Sequence, residues 1–123
     1  MTRYDSAHDP PALILDVEIL HPVDQTKEQL KGKIDTGASM TVIPASVRQK
    51  LKLEPAGEVD LTDYKGVHQT SPTYFVRIKI NEVTEDLEVT SVERKDVLIG
   101  RDALSAWKIT ADGKNQDFTM EDP

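Results

Sequence analysis

Lys33-Ile34-Asp35-Thr36-Gly37-Ala38-Ser39-Met40-Thr41-Val42-Ile43-Pro44 is the stretch on which the fold turns. A strand expected from about Gln29 to Ile34 runs into Asp35, and Gly37 supplies a tight turn. Met40 to Ile43 then return as a short β-rich segment that Pro44 stops. Composition alone would place an Asp, a Ser or Thr and a Gly together in about one chain in twenty of this length, so the context must carry the reading.

Upstream, Leu13, Leu15, Val17 and Ile19 alternate with Ile14, Asp16 and Glu18, the period of a half-buried strand, and Pro22 and Asp24 mark a turn. Downstream, Ala45 to Leu51 can form two helical turns, with Pro44 tolerated at the start. Val59 to Tyr64 and Thr73 to Ile80 read as strands joined around Gly66, with Tyr74, Val76, Ile78 and Ile80 on one face and Phe75, Arg77 and Lys79 on the other. Asn81 and Glu82 suit a turn before the strand-like Leu87 to Val92 and the apolar Val97, Leu98 and Ile99. Asp102 can cap a helix from Ala103 to Trp107, and Asp112-Gly113 suits a turn between strands Trp107 to Thr110 and Asp117 to Met120. The pattern predicts about eight short strands and two short helices without repeats, a mostly β chain. Residues 1–11, with Asp5, Asp9, Pro10 and Pro11, read as a flexible N-terminal arm, and 12–123 as one domain.

A chain of 123 residues has room for one core but not for two lobes of ordinary size. With 37% hydrophobic but only 5% aromatic residues, that core rests on Val, Ile and Leu, which favours sheet. A formal charge of -7 and a pI near 4.9, with scattered basic residues, exclude a nucleic-acid partner and an anionic membrane surface as expectations. No apolar run reaches the ~18 residues of a membrane span, and the start lacks the apolar core of a signal peptide, so a cytoplasmic protein is expected. There is no cysteine for a disulfide or a thiolate nucleophile, and His8, His21 and His68 lack the paired spacing of a metal site.

In this context the Asp35 stretch resembles the active-site loop of aspartic proteases, and the single-domain length resembles the retropepsin-like, retroviral-type branch. A second match, Val97-Leu98-Ile99-Gly100-Arg101-Asp102-Ala103-Leu104, is similar to the family's apolar-apolar-Gly segment and the short helix after it. The resemblance implies a small closed β-barrel-like acid-protease fold that is active as a two-fold dimer. It implies aspartic endopeptidase activity on a peptide or protein substrate, without metal or cofactor. Such hydrolysis needs a base to activate water and an acid to protonate the leaving nitrogen, and two adjacent carboxylates do both. Held a few ångströms apart they cannot both ionise, so the pair shares one proton and titrates as a unit. The chain has a single Asp-Thr-Gly, so the second carboxylate must be Asp35 of another copy, brought in by a two-fold axis.

The resemblance gives Thr36 a hydrogen bond across the dimer axis and Gly37 the close approach of backbone and substrate. Where some members carry a Ser whose hydroxyl stabilises the ionised carboxylate, this chain has Ala38. Losing that bond raises the lower apparent pKa of the dyad, so activity is expected at mildly acidic to near-neutral pH. Lys65, Gly66 and Val67 resemble the tip of the flap that closes over substrate, although the retroviral flap is richer in glycine. Arg101 pairs in retroviral members with an aspartate at the position of Ser39, so here it is expected to bond Asp102 or a carboxylate of the partner. Val42, Ile43, Leu98, Ile99 and Gly100 are expected to line the cleft or support the loop, favouring apolar side chains beside the cut bond. Trp107 is expected to fill the core beside the short helix.

The alternative is a noncatalytic dimeric peptide-binding module of the same fold. The intact Asp35 and its glycine turn favour the enzyme, because crowding two carboxylates is costly for a mere scaffold. A phosphoryl-accepting Asp35 would need further carboxylates for magnesium and an α/β sheet, and the sequence offers neither pattern.

Overall fold

The structure, a computed structural model, describes residues 1–62 and 64–122. Its elements in chain order are β1 (Thr2–Arg3), β2 (Ile14–Leu20), β3 (Lys27–Ile34), β4 (Val42–Pro44), α1 (Ala45–Leu51), β5 (Gly57–Thr62) and β6 (His68–Ile80). β7 (Val83–Val92), β8 (Val97–Ile99), α2 (Arg101–Leu104), β9 (Lys108–Asp112) and β10 (Asp117–Glu121) complete the chain.

One sheet runs β2-β3-β8-β4-β7-β6-β5, and β2 also pairs with β6 through Glu18 to Lys79, Ile19 to Ile78 and Leu20 to Arg77. That pairing closes the first six of these strands into a barrel and leaves β5 outside, on the half of β6 that runs beyond it. The alternation in β6 gives the reason for closure: Tyr74, Val76, Ile78 and Ile80 are buried, while Phe75 stays 56% exposed. Ile19, Ile43, Val89, Val97 and Ile99 meet them in a core of mostly β-branched and Leu side chains. Asn81 and Glu82, both at positive φ, make the two-residue turn into β7.

The connection that places the site is the one from β3 to β4. β8 lies between those two strands, parallel to β3 and antiparallel to β4. Residues 35–41 must therefore cross the end of β8, just where Gly100 begins α2.

Several expectations need correction. α2 covers Arg101–Leu104 with Gly100 in extended backbone at its N-cap, so Asp102 lies inside the first turn and does not precede the helix. Its carboxylate does accept the Ala103 N–H, but it also takes two bonds from Thr41, which fixes it there. The strand expected over Val59 to Tyr64 ends at Thr62, because Tyr64 lies in a turn; Asp63 and Pro123, the end of the expected domain, lie outside the described residues. The turn after β9 is longer than Asp112-Gly113: the Asp112 carboxylate accepts the N–H groups of Lys114 and Asn115 and the side-chain amide of Asn115. In the segment read as a flexible arm, Thr2 and Arg3 pair with Phe118 and Asp117, and Tyr4 packs its ring 6.1 Å from that of buried Phe118. The two chain ends thus form a second sheet, β1-β10-β9, anchored on the core by Phe118.

Candidate active site

Asp35 leaves the end of β3 with its N–H bonded to the Ile99 carbonyl at 3.0 Å, so the barrel holds its backbone. The chain then turns sharply: the Gly37 N–H donates to Asp35 Oδ1 at 2.9 Å, and the Ala38 N–H donates to the Asp35 carbonyl at 3.2 Å. A carboxylate that accepts a backbone N–H is held in one rotamer. Asp35 is half-buried, whereas Thr36, Gly37 and Ser39 are exposed around it.

Behind the loop stands α2. The Arg101 N–H donates to the Ala38 carbonyl and its guanidinium Nη1 to the Thr36 carbonyl, both at 2.8 Å. Arg101 therefore bonds neither Asp102 nor Ser39 in this chain; with no carboxylate at position 39, the guanidinium takes the nearest backbone acceptor. Thr41, fully buried, donates its hydroxyl to Asp102 at 2.7 Å and its N–H at 3.0 Å, and accepts the Gly100 N–H at 3.1 Å. The loop is thus tied to four consecutive residues, its first half to Ile99 and Arg101 and its Thr41 end to Gly100 and Asp102.

Gly100 makes the tie possible. A Cβ there would stand 2.7 Å from the carbonyl carbon of Met40, and backbone cannot yield as a flexible side chain can.

The expected cleft residues divide into two groups. Ile43, Ile99 and Gly100 are buried and support the loop from within, while Val42 and Leu98 are half-buried and Arg101 is exposed. Lys65, Gly66 and Val67 sit at the free end of the β5–β6 ribbon, Gly66 at φ +82 and Val67 58% exposed. Tyr64 beside them is 93% exposed, with the Lys65 ammonium 5.6 Å from its ring centre. Sequence reasoning missed Thr41 and the bridging role of Asp102. The available signal was a lone hydroxyl within the run Met40 to Ile43, since a buried hydroxyl needs a partner.

A barrel with an Asp-Thr-Gly turn crossing the end of a strand, backed by a short helix, defines the retropepsin-like class of aspartic protease. The chain belongs to the family described as "gag-polyprotein putative aspartyl protease", whose sequence model matches residues 24–106. No curated protein matches it in sequence.

Among solved structures, the chain is similar to a foamy viral protease-reverse transcriptase, with a TM-score of 0.61, 25% identity and 79% of this chain covered; it spans 12% of that longer chain. EIAV protease in an inhibitor complex gives a TM-score of 0.60 and 20% identity, covering 76% of this chain and 86% of its own. A retropepsin-like aspartic protease from Rickettsia conorii gives 0.62 at 16% identity, covering 94% and 85%. No helix among the described residues is long and apolar enough to cross a membrane.

Proposed function

We propose that this chain is an aspartic endopeptidase that works as a homodimer, cutting peptide bonds with a water held between the Asp35 carboxylates of two copies. The observation that carries this reading is the single Asp35, oriented by the Gly37 N–H on a loop tied at both ends, with its surroundings exposed. A concavity on the face of β2 and β3 is lined by Asp16, Glu18, Gln29, Lys31 and Lys79, and by no residue of the loop. In the proposed dimer each copy contributes one wall of the cleft around Asp35.

In the dimer one carboxylate takes a proton from water while the other, protonated, hydrogen-bonds the substrate carbonyl. The attacking oxygen adds to the carbonyl carbon, and the proton then passes to the leaving nitrogen as the C–N bond breaks. Thr36, exposed beside Asp35, bonds its counterpart across the axis. The β5–β6 ribbon closes over the peptide with Lys65, Gly66 and Val67 at its tip, and Val42 and Leu98 offer apolar contact beside the cut bond.

Cleavage of a mixed peptide library is the direct test. Asp35→Asn is expected to lower kcat at least 1,000-fold with the dimer intact, since it leaves no ionisable carboxylate in the dyad. Full cleavage by Asp35→Asn, or by protein diluted until only monomer is present, would refute the shared site. With Ala38 in place of a hydroxyl donor, kcat/KM is expected to peak at mildly acidic to near-neutral pH, and a maximum below about pH 3 would contradict that assignment.

A further inference from the structure

Three polar residues are buried among the described residues, and all are threonines: Thr41, Thr73 and Thr90. Thr41 braces the Asp35 loop. The other two stand where the β5–β6 ribbon leaves the barrel. β7 pairs with β6 from Val83 opposite Ile80 to Val89 opposite Tyr74, and there the ladder stops. From Thr90 to Val92 β7 pairs with β4, while the part of β6 from Thr73 back to His68 pairs with β5 alone.

Side chains take over at that seam. The Thr73 carbonyl faces β5, where it accepts the Ala56 N–H at 2.8 Å. Backbone polar groups alternate sides along a strand, so the Pro72 carbonyl faces β7, and Pro72 has no N–H with which to carry the ladder on. The Thr90 hydroxyl donates to that carbonyl at 3.2 Å. The Thr73 hydroxyl crosses the other way and donates to Glu88 Oε2 at 2.6 Å, the length of a bond to an ionised carboxylate. Gly57, opposite Thr73, leaves room for this contact: a Cβ there would stand 3.2 Å from the Thr73 hydroxyl oxygen and 3.4 Å from Glu88 Oε2. Each buried hydroxyl thus has its partner on the facing strand, and the pair ties β6 to β7 where the main chain no longer does.

The seam is the fixed end of a lever. Gly66, at the tip of the ribbon, lies seven residues from Thr73. At about 3.3 Å per residue the tip stands about 23 Å from the seam, so a tilt of about 10° there would move it about 4 Å. Errors of about 1 Å in the placement of reacting groups already cost much of a rate. We propose that Thr73, Thr90 and Glu88 are positioning residues: their two bonds form a latch that fixes the angle at which the ribbon leaves the barrel, and with it the height of Lys65, Gly66 and Val67 over a bound peptide. The proposal deepens the protease reading above and rests on it.

The chain has no cysteine, so spin labels can be attached at chosen thiols. Full-length protein carrying Tyr64→Cys beside the tip and Thr84→Cys on β7, both exposed, reports the distance from tip to barrel. Mixing the labelled chain with an excess of unlabelled chain keeps that distance within one copy. Thr73→Val with Thr90→Val removes both hydroxyls and keeps the side-chain shape; it is expected to shift or widen the distance distribution by about 4 Å. Glu88→Ala, at an exposed side chain, removes one acceptor and gives the same measurement should the double variant fail to fold; Glu88→Gln, which keeps an oxygen for Thr73, is expected to return most of the wild-type distribution. In unlabelled protein the double variant is expected to raise KM at least about 5-fold and to lower kcat by less than about 2-fold, because fewer copies hold the ribbon in place while the bonds at Asp35 are untouched.

A distribution that stays the same in every variant overturns the latch, even where stability falls, since core packing alone would lower stability without moving the tip. A tip that moves while KM holds overturns the positioning role. A tip that moves in a protein without any Asp35-dependent cleavage supports the latch and removes the enzyme.

Discussion

The Asp35 loop and the β5–β6 ribbon are both turns between strands, yet they are held in opposite ways. The loop's bonds are nonlocal: Thr41 to Asp102, Gly100 to Thr41 and Arg101 to Thr36 each join residues about sixty positions apart, and much of that network is part-buried or buried. Beyond its base, where Thr73 donates to Glu88 and Thr90 to the Pro72 carbonyl, the ribbon has the ladder between its own two strands, and the His68 ring nitrogen near Asp60 and Thr62 at 3.2 and 3.1 Å, in the open. Nonlocal, desolvated bonds open only with the barrel, whereas a solvated two-stranded ladder is marginal by itself. The loop that holds the Asp35 carboxylate is cross-braced, and the outer part of the ribbon, proposed above to close over a peptide, rests on local bonds.

The comparison breaks first at Asp102. Asp102→Ala strips both Thr41 donors of their acceptor, leaves the Ala103 N–H with the Gly100 carbonyl alone, and is expected to destabilise the fold by about 2–4 kcal/mol. Chemical denaturation would measure this, and a loss under about 0.5 kcal/mol would mean that the loop does not depend on its brace. Catalytic activity is expected to fall with it even under conditions where the variant stays folded.

The two glycines sharpen the contrast, because one substitution meets opposite problems. Gly100→Ala drives a methyl into the backbone of Met40, so the loop must shift; the expected loss is about 1–3 kcal/mol together with most of kcat. Gly66→Ala meets no atom within 4 Å but must adopt φ +82, for about 1 kcal/mol of strain. That strain is expected to change KM and to lower global stability by no more than about 1 kcal/mol, without the shift of the Asp35 loop that Gly100→Ala forces. Equal effects of the two on global stability would erase the distinction between brace and ribbon.

What could be read from sequence follows the same division. Local periodicity is sufficient for the β6 face with buried Tyr74, Val76, Ile78 and Ile80, for α1 at Ala45–Leu51, and for the Asn81-Glu82 turn. Asp35, Thr36 and Gly37 were legible because the tripeptide sits between two strands, and the apolar run before Gly100 because it ends in a helix. Thr41 was not, since nothing local distinguishes a threonine that fills out a strand from one whose hydroxyl ties it to Asp102. Arg101 is expected to bond Asp102 or a carboxylate of the partner; within one chain its guanidinium takes the Thr36 carbonyl, a main-chain choice that side-chain chemistry cannot announce. The β1 pairing escaped as well, because two residues carry no periodicity and only the exposed edge of β10 decides where they go.

The smallest effect probes the electrostatic cost of the brace. Glu85 on β7 is pushed above the ordinary carboxylate range, first by burial and then by the charge of Asp102. A carboxyl whose pKa is raised on folding favours the folded state when protonated. Glu85 therefore contributes most below its ordinary range, and that contribution is lost as pH rises through the raised value. Once ionised, it stands near a second anion, the Asp102 carboxylate that accepts both bonds from Thr41. Glu85→Gln is expected to raise stability at pH 7 by about 0.5 kcal/mol, a modest figure because solvent still reaches the group. The gain is expected to shrink as pH falls below the ordinary Glu range, where the wild-type group is neutral too, and to be smaller in an Asp102→Asn background. Denaturation curves at pH 7 and pH 4 separate these outcomes, and a gain independent of pH would assign the effect to packing on β7, with no part for the carboxylate that braces Thr41.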